Sequence, residues 1–446
     1  MFENTRQLKE AARAVLENNW TGEFTKPAPS LYPHQWNWDA GFIAIAYAHF
    51  DLEKAMKELR SLFQGQWSNG MLPQIVFRPE KETDRQYFPG ADFWQSNRST
   101  HAPVGIQTSG ITMPPVHGFA LWNIYERAAD KEKAEAFLKE MFPKVMALHH
   151  YFYENRDPLD EGLIYINHPW ESGTENSPIW DGPLSKIDPS RLKIPTYERN
   201  GFQNKEGTSN QSTNLDYDRY VHLVDLYRTK NYDDKAIYES SPFLIQDPLF
   251  NTILVRSNEC MIEIAQLIGE DVSDLVGWND LTIWSMNEKL WNEEIGGYDA
   301  WDLRANEKLA VPTSSALLPM FGNIPDQDQA EMMLQLLLGD GFHGPDDNSL
   351  YLCPSCNQLS NAFNPENYWC GPVWINMNWM LYQGLLNYEF NDIAENLKDD
   401  TIELLSDNGF YEYYDPRKGA TTVAGYGTHS FSWSAALCYD LLCHRF

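Results

Sequence analysis

Amphipathic helical periodicity recurs along almost the whole chain, and it limits the fold more than any other feature of the sequence. Apolar residues three and four positions apart lie on one face of a helix. The clearest series is Ala134, Leu138, Met141, Val145, Leu148 and Phe152, in which Pro143 predicts a bend. A second helix over 253–268 is followed by Gly269, a residue type that often closes helices. Further helices are predicted over 8–16, 42–63, 116–129, 217–227, 281–291, 329–338, 374–386, 393–405 and 431–442.

Strand signals are few, and the helices share no repeat motif. The runs 163–166 and 296–302 are bounded by turn residues and predict a short strand and a hairpin. No linker rich in Pro, Gly and Ser divides the 446 residues. The predicted helices fit one all-α toroid of paired helices over 1–446, with short β-hairpins in the loops at its rim. Two helical domains that meet near residue 230 are the alternative.

The composition excludes several classes of partner. A net charge of −29 repels nucleic acid and anionic lipid. No apolar run is long enough for a membrane helix, and the N-terminus lacks the order of a secretory signal, so a cytoplasmic protein is predicted. Cys353 and Cys356 have the spacing of a metal or redox pair, but no second such pair follows. Two incidental loop thiols are preferred, and no metal site is expected.

The segment 168–181 carries the most chemistry for its length. Glu171 and Glu175 lie between Trp170 and Trp180, and Asp181 directly follows Trp180. Glycoside cleavage needs a carboxyl kept protonated for the leaving oxygen, and aromatic rings that stack on the apolar face of a sugar. A second carboxylate flanked by aromatic residues, Glu412, lies near the far end of the chain. Together the two segments predict an enzyme that cleaves glycosides.

Polar, aromatic-rich segments between the predicted helices are typical of loops that carry binding sites. One of them, 32–39, ends in Trp38 and Asp39 at the start of a helix. Asp39 can cap that helix, or it can accept hydrogen bonds from sugar hydroxyls while Trp38 stacks below the ring. Three more segments have the same character, namely 66–74, 108–115 and 368–376. We expect these segments to surround one cleft.

The order of these motifs resembles glycoside hydrolase family 63. The motifs are Trp-Asn-Trp-Asp at 36–39, Asn-Gly-Met-Leu-Pro-Gln at 69–74, Thr-Ser-Gly-Ile-Thr-Met-Pro-Pro at 108–115, Glu-Ser-Gly-Thr-Glu-Asn-Ser-Pro at 171–178, Tyr-Trp-Cys-Gly-Pro-Val-Trp at 368–374 and Phe-Tyr-Glu-Tyr-Tyr-Asp-Pro at 410–416. The chain is most similar to the bacterial members that act on glucosylglycerate and mannosylglycerate. The resemblance implies an (α/α)6 barrel and an inverting hydrolase of α-glycosides that needs no metal or other cofactor.

The resemblance also implies residue roles. Glu175 falls at the general acid and Glu412 at the general base, roughly 6.5–9.5 Å apart so that a water fits between them and the sugar. Burial, with Glu171 and Asp181 nearby, is expected to raise the pKa of Glu175, while Glu412 stays ionised. The expected substrate-binding residues are Tyr32, Trp36, Trp38, Asp39, Gln66, Asn69, Gln74, Trp170, Tyr368, Trp369 and Trp433.

Three positions depart from the family pattern. The acid position usually carries Asp, and here it is Glu175, whose extra methylene lengthens its reach. Cys370 stands where an Arg is common, and Met113 where a Gln is common. Losing an Arg and a Gln removes donors for a carboxylate or a hydroxyl, which weakens the case for a glycerate aglycone. Arg191 or Arg219 could supply the missing cation.

The sequence therefore predicts an inverting, exo-acting α-glycoside hydrolase. Its substrate would be a small sugar conjugate, such as glucosylglycerate, mannosylglycerate or a short α-glucoside, from which it releases glucose or mannose. The alternatives are a lyase or sugar epimerase on the same fold, or a sugar-binding protein without catalysis. The scarcity of His in the key segments argues against a lyase. The sequence does not indicate an oligomeric state.

Overall fold

The computed structural model describes residues 4–191, 214–344, 350–419 and 425–443. Within these ranges the α-helices are α1 (Thr5–Asn19), α2 (Asn37–Ala48), α3 (Leu52–Phe63), α4 (Ala91–Trp94), α5 (His117–Arg127), α6 (Lys131–Asn155), α7 (Asp181–Ser185), α8 (Asn214–Thr229), α9 (Asp234–Ser240), α10 (Pro248–Ile268), α11 (Ser273–Ser285), α12 (Gln327–Leu338), α13 (Ile375–Asn387), α14 (Asn391–Asn408) and α15 (Ser432–Cys443). The strands are β1 (Gln35–Trp36), β2 (Ile75–Val76), β3 (Tyr165–Ile166), β4 (Ile245–Gln246), β5 (Trp291–Asn292), β6 (Gly297–Tyr298), β7 (Ala300–Asp302), β8 (Glu307–Leu309), β9 (Tyr411–Tyr414) and β10 (Gly425–His429).

The helices form an inner and an outer layer. In the inner layer α15 packs on α2, α2 on α5, and α5 on α10. The 3-10 helix Leu318–Gly322 contacts both α10 and α13, and α13 returns to α15, which closes the ring. Outside it, α1 lies against α15, α3 against α2, α6 against α5, α11 against α10, and α14 against α13. This double ring is the (α/α)6 barrel that the sequence predicted.

The composition of each helix explains its layer. Every residue of α2 is buried, because this helix is apolar or small on all sides and is enclosed by its neighbours. Its outer partner α3 buries one face, while Lys54, Lys57 and Arg60 point away from the core. The buried apolar residues form one continuous cluster from Leu8 to Leu441.

Two predicted helices differ in detail. The stretch 42–63 is not one helix but two, because Asp51 caps α3 by accepting a hydrogen bond from the Lys54 backbone N–H. The stretch predicted over 281–291 is the end of α11, which changes to a π-helix over Met286–Leu290. The predicted closure at Gly269 is confirmed, since this glycine has a φ of 82° and ends α10.

The short strands pair into hairpins and small sheets. Strand β1 pairs with β2, and β9 with β10, both antiparallel. Strands β3, β4, β7 and β8 form a four-stranded sheet, and β5 pairs with β6. The β1–β2 and β9–β10 pairs matter for function because they carry Trp36 and Glu412. Among the described helices, none combines the length and the apolar character needed to span a bilayer.

Candidate active site

A tight loop positions Glu175. The 3-10 helix Pro169–Ser172 begins at His168, whose side chain accepts a hydrogen bond from the Trp170 backbone N–H, and ends at Gly173 with a φ of 73°. A Cβ at Gly173 would collide with the Trp38 ring, so only glycine lets the loop close on that ring. Asn176 directly follows Glu175, and its backbone N–H donates a hydrogen bond of 3.1 Å to the Tyr220 hydroxyl.

Glu171 lies beneath this loop and has a structural role. Its carboxylate accepts two hydrogen bonds of 3.0 Å from the Arg156 guanidinium and further bonds from the backbone N–H groups of Thr112 and Asn167. The expectation that Glu171 and Asp181 raise the pKa of Glu175 is wrong. The neighbouring carboxylate that raises it is Glu412.

A hairpin positions Glu412. The residue lies on β9, opposite β10, where the Thr428 backbone N–H donates to its Oε2 at 3.3 Å. A Cβ at Gly427, which has a φ of 73°, would overlap this same oxygen. The other oxygen, Oε1, accepts a hydrogen bond of 2.8 Å from the Tyr32 hydroxyl. Glu412 is thus fixed on both oxygens.

One phenol joins the two carboxyls. The Tyr368 hydroxyl lies 3.1 Å from Oε1 of Glu175 and 3.3 Å from Oε1 of Glu412. These two oxygens are therefore separated by no more than the combined length of the two hydrogen bonds. That limit lies just below the roughly 6.5–9.5 Å range of inverting hydrolases, so these two oxygens are closer than the sequence predicted.

The surroundings shift the pKa of each acid. Loss of solvent around Glu175 raises its pKa to about 8, and the charge of Glu412 adds to this shift. Burial raises the pKa of Glu412 to about 7, but Tyr32, Tyr368 and the Thr428 N–H stabilise its ionised form. Glu175 therefore holds a proton more firmly than Glu412 does. Burial also raises the pKa of Asp39 well above its usual range.

The two carboxyls line one cavity of about 410 Å³, called the inner pocket. Its walls are Pro27, Tyr32, Trp36, Trp38, Asp39, Gln74, Met113, Gly173, Glu175, Tyr368, Trp369, Glu412, Phe431 and Trp433. Within the described residues, Oε1 of Gln74 and the indole N–H groups of Trp369 and Trp433 are buried without a hydrogen-bond partner. Polar groups arranged in this way can hold the hydroxyls of a sugar.

A second cavity of about 730 Å³, called the outer pocket, adjoins the inner one. The two share Tyr32, Trp36, Gln74, Glu175 and Tyr368. The remaining walls of the outer pocket are Leu31, Ile75, Tyr87, Phe88, Pro89, Trp94, Trp170 and Tyr217. Glu175 lines both cavities, whereas Glu412 lines the inner pocket alone.

Most predicted substrate-binding residues line these pockets, but Gln66 and Asn69 do not. The Gln66 amide donates to the backbone carbonyls of Gly70 and Lys144, and the Asn69 side chain accepts from the Met71 N–H. Both amides serve the local turn, so their assignment to substrate is corrected. Asp39 is not a helix cap either: α2 begins after Trp36, and Asp39 is its third residue and lines the inner pocket.

Several pocket residues were not predicted from the sequence. Tyr87 and Tyr217 line the outer pocket, although neither belongs to the recognised motifs. Phe431 lines the inner pocket and follows the β10 strand. Met113 was noted as a departure from the family pattern, and its position in the inner pocket makes that departure relevant to substrate.

Cys370, at the position of the family arginine, lies close to Glu175, whereas Arg219 lies away from both pockets. The Cys370 thiol donates to the Asn176 carbonyl at 3.1 Å, next to Glu175. Arg219 pairs with Asp216 at 2.8 Å and lines neither pocket. The side chain of Arg191 is outside the described residues. Cys353 and Cys356 are buried free thiols, and the described residues hold no cluster of three His, Cys, Asp or Glu side chains suited to a metal.

Sequence comparisons agree with this architecture. The family model described as the mannosylglycerate hydrolase MGH1-like glycoside hydrolase domain matches residues 32–434. The chain is 40% identical to a mannosylglycerate hydrolase of Rubrobacter radiotolerans over 433 residues, which cover 97% of this chain and 96% of the relative. It is 33% identical to a glucosylglycerate hydrolase of Mycolicibacterium hassiacum over 446 residues, with 98% of each chain covered.

A solved structure is similar over nearly the same length. The crystal structure of a GH63 mannosylglycerate hydrolase from Thermus thermophilus, in complex with Tris and D-glycerate, superposes with a TM-score of 0.88. The two chains are 41% identical, and the match covers 97% of this chain and 99% of the other.

Proposed function

The chain belongs to the mannosylglycerate hydrolase MGH1-like glycoside hydrolase family and is a glycoside hydrolase, and from that premise we propose that it cleaves mannosylglycerate or glucosylglycerate. The sugar occupies the inner pocket and glycerate the outer pocket. Glu175 is the general acid and Glu412 the general base of an inverting reaction. The related proteins are named for these two substrates, and the inner pocket brings both glutamates together with buried polar groups that can bind sugar hydroxyls.

The position of each carboxyl relative to the two pockets carries this assignment. A glycosidic oxygen that joins a sugar in the inner pocket to an aglycone in the outer pocket must lie where the two cavities meet. Glu175 lines both cavities and so can reach that oxygen, whereas Glu412 lines only the sugar side. The higher pKa of Glu175 keeps the proton on the residue that has to donate it.

The reaction follows from this arrangement. The Glu175 carboxyl transfers its proton to the glycosidic oxygen as the bond from that oxygen to the anomeric carbon breaks. Glu412 takes a proton from a water molecule, whose oxygen attacks the anomeric carbon from the opposite face. The products are the free aglycone and a sugar of inverted configuration. Asp39, Gln74, Trp369 and Trp433 hold the hydroxyls of the sugar during this step.

The product anomer tests the mechanism. Proton NMR of freshly formed product should show the β-anomer first, with the α-anomer growing in by mutarotation. The closeness of the two Oε1 atoms makes this experiment decisive, because a retaining mechanism works at roughly 5–5.5 Å. Initial release of the α-anomer would assign Glu412 as a nucleophile instead of a base.

A substrate panel tests the proposed function as a whole. Mannosylglycerate, glucosylglycerate and α-glucosides with neutral aglycones are incubated with the protein, and the products are separated by chromatography. Glu175→Gln and Glu412→Gln should each lower kcat by about 10²–10⁴-fold, while Glu270→Gln on the surface serves as the matched control. Binding of a conjugate by calorimetry, without any product after long incubation, would favour a sugar-binding protein instead.

Two predictions from the sequence accompany this proposal. We propose that the chain acts as a single catalytic domain over 1–446, which the continuous apolar core supports. We also propose a cytoplasmic location. Limited proteolysis would test the first proposal, and cell fractionation the second.

A further inference from the structure

We propose that Tyr368 is a positioning residue that keeps a single proton within the Glu175–Glu412 pair, by accepting a hydrogen bond from Glu175 while it donates one to Glu412. This inference rests on the proposed roles of the two glutamates. It assigns to Tyr368 a task beyond contact with substrate. The pair is thereby held in the state in which Glu175 is protonated and Glu412 is ionised.

The number of hydrogens that the Tyr368 hydroxyl can donate leads to this role. A phenol hydroxyl carries one hydrogen, yet Tyr368 lies 3.1 Å from one carboxyl and 3.3 Å from the other. It cannot donate to both at once. Both contacts become hydrogen bonds when one carboxyl is protonated and donates to the phenol oxygen while the phenol donates to the other. Tyr32 donates to the same Glu412 oxygen at 2.8 Å, which makes Glu412 the ionised member.

The backbone of Tyr368 indicates that its position is imposed by its surroundings. Its φ is 44°, a left-handed conformation that is uncommon for a bulky residue and is often found at functional sites. Its carbonyl accepts a hydrogen bond of 3.1 Å from the Trp374 indole. Its ring packs edge-on against the rings of Trp374 at 5.0 Å and Tyr413 at 5.3 Å. The hydroxyl is thereby fixed between the two acids.

The other groups around the pair supply no competing cation. The titratable side chains that face Glu175, Glu412 and Tyr368 are Asp39, Tyr32, Tyr87 and Tyr217 in the pockets and Tyr413 behind the ring. Among the described residues, no Lys or Arg lines either pocket. With no Lys or Arg among the described lining residues to stabilise two ionised carboxylates, the pair keeps one proton, and Tyr32 together with the shared phenol keeps it on Glu175.

This role has a specific consequence for the pH profile. As a donor, Tyr368 stabilises ionised Glu412 and lowers the pKa that governs the acidic side. As an acceptor, it stabilises protonated Glu175 and raises the pKa that governs the basic side. Removing the hydroxyl should therefore narrow the active pH range from both sides. The Tyr32 hydroxyl bonds to Glu412 and to the Tyr368 hydroxyl, and its own hydrogen goes to Glu412, so its removal should move the acidic side alone.

The test compares the pH dependence of kcat/KM in wild type, Tyr368→Phe and Tyr32→Phe. In Tyr368→Phe the acidic pKa should rise and the basic pKa should fall, each by about one pH unit. In Tyr32→Phe only the acidic pKa should rise. If both pKa values rise together in Tyr368→Phe, the phenol is a simple donor and the proposal is overturned. An unchanged basic pKa, or the same narrowing in Tyr32→Phe, overturns it as well.

A second measurement needs neither substrate nor variant. In wild-type protein labelled with ¹³C at the Glu carboxyl carbons and the Tyr ring carbon that bears the hydroxyl, NMR follows a pH titration. The Tyr368 signal should respond at both steps, with Glu412 titrating at the lower step and Glu175 at the upper. A Tyr368 signal that responds to one step only, or the reverse order of the glutamates, overturns the proposal. Wild-type inactivity on the substrate panel would instead refute the proposed function and leave this titration valid.

Discussion

Met113 gives the inner pocket an apolar wall where a sugar offers hydroxyls on nearly every carbon. Its side chain is 4% exposed and lies in the same pocket as Trp38 and Gly173. A thioether is only a weak hydrogen-bond acceptor, so the pocket has no strong polar partner at this point. Recognition of the sugar depends on Asp39, Gln74 and the two indole N–H groups elsewhere in the pocket.

Met113→Gln tests the contribution of this wall. The amide should gain a hydrogen bond to a sugar hydroxyl and lower KM by up to about tenfold, the equivalent of roughly 1.4 kcal/mol. In the free protein the same amide is buried without a partner, so the free energy of unfolding should fall by about 1–3 kcal/mol. Steady-state kinetics and urea unfolding measure the two effects.

Met113→Leu is the matched control, since it keeps the wall apolar and should leave KM nearly unchanged. If Met113→Gln lowers stability without changing KM, the wall is out of reach of the sugar and the inner pocket is occupied differently.

Two elements hold the proposed acid and base in place, and each depends on a single close contact. The β9–β10 hairpin holds Glu412 because Gly427 lets the backbone pass directly beside the carboxylate. The loop 168–176 holds Glu175 because Glu171 is clamped by Arg156 below it. The positions of the two carboxyl groups are therefore set by these supporting elements and not by the glutamates themselves.

Gly427→Ala should displace the base. The new methyl group would overlap Oε2 of Glu412, and a shift of about 1 Å at a reacting group lowers kcat by roughly 10²-fold. Gly419→Ala is the matched control: Gly419 has the same φ of 73°, but nothing lies within 4 Å of a Cβ there. Equal kinetic losses in the two variants would show that backbone strain, and not contact with Glu412, is responsible.

Arg156→Met should destabilise the loop that carries Glu175. It leaves the Glu171 carboxylate buried without its guanidinium, which costs about 3–5 kcal/mol in comparable cases. Arg60→Met removes an exposed partner of Glu140 and should cost about 0.2–1 kcal/mol. Chemical denaturation compares the two variants. A double variant Arg156→Met, Glu171→Gln should recover part of the loss, and failure to do so would mean that Glu171 is not the group left uncompensated.

Over the whole molecule, buried titratable groups make stability depend on pH in two opposite ways. Burial raises the pKa of Glu58 from 4.5 to about 8 and that of Asp247 from 3.8 to about 7, as it does for the two active-site glutamates. Between the unfolded and the folded pKa of these carboxyls, the folded state binds more protons than the unfolded chain. The free energy of unfolding that they contribute is therefore lost as pH rises towards 8. Buried His117 and His168, with pKa values lowered from 6.5 to about 3, act oppositely and weaken the fold below pH 6.5.

The unfolding temperature should therefore decrease as pH rises from about 6.5 to 8, where the protons lost by the buried carboxyls on unfolding outnumber those gained by the buried histidines. Scanning calorimetry at several pH values measures this trend. Glu58→Gln, which is neutral at every pH, should make the decrease shallower. A stability that rises over this interval would mean that the buried carboxyls are ionised and compensated in the folded protein.

Sequence periodicity was sufficient for much of the helical architecture. The spacing of apolar residues in α6 and α10 reports directly which face is buried, because a helix repeats every 3.6 residues whatever it packs against. The break between α2 and α3 was missed because Asp51 acts through one side-chain hydrogen bond, which leaves no gap in the apolar pattern. Motif order was likewise sufficient to place the chain in its family and to select Glu175 and Glu412 as the candidate acids.

The tertiary structure alone decided which residues meet. Tyr32 and Glu412 are 380 positions apart, and no local pattern predicts that their side chains form a hydrogen bond. Gln66 and Gln74 belong to one sequence segment, 66–74. Packing against α6 directs the Gln66 amide to the Lys144 carbonyl, whereas Oε1 of Gln74 is left unpartnered at the pocket wall. Glu171 and Glu175 are four positions apart, but one is neutralised by Arg156 and the other borders two cavities. Residue type and spacing determine what chemistry a side chain can perform, and long-range packing determines which partner it has.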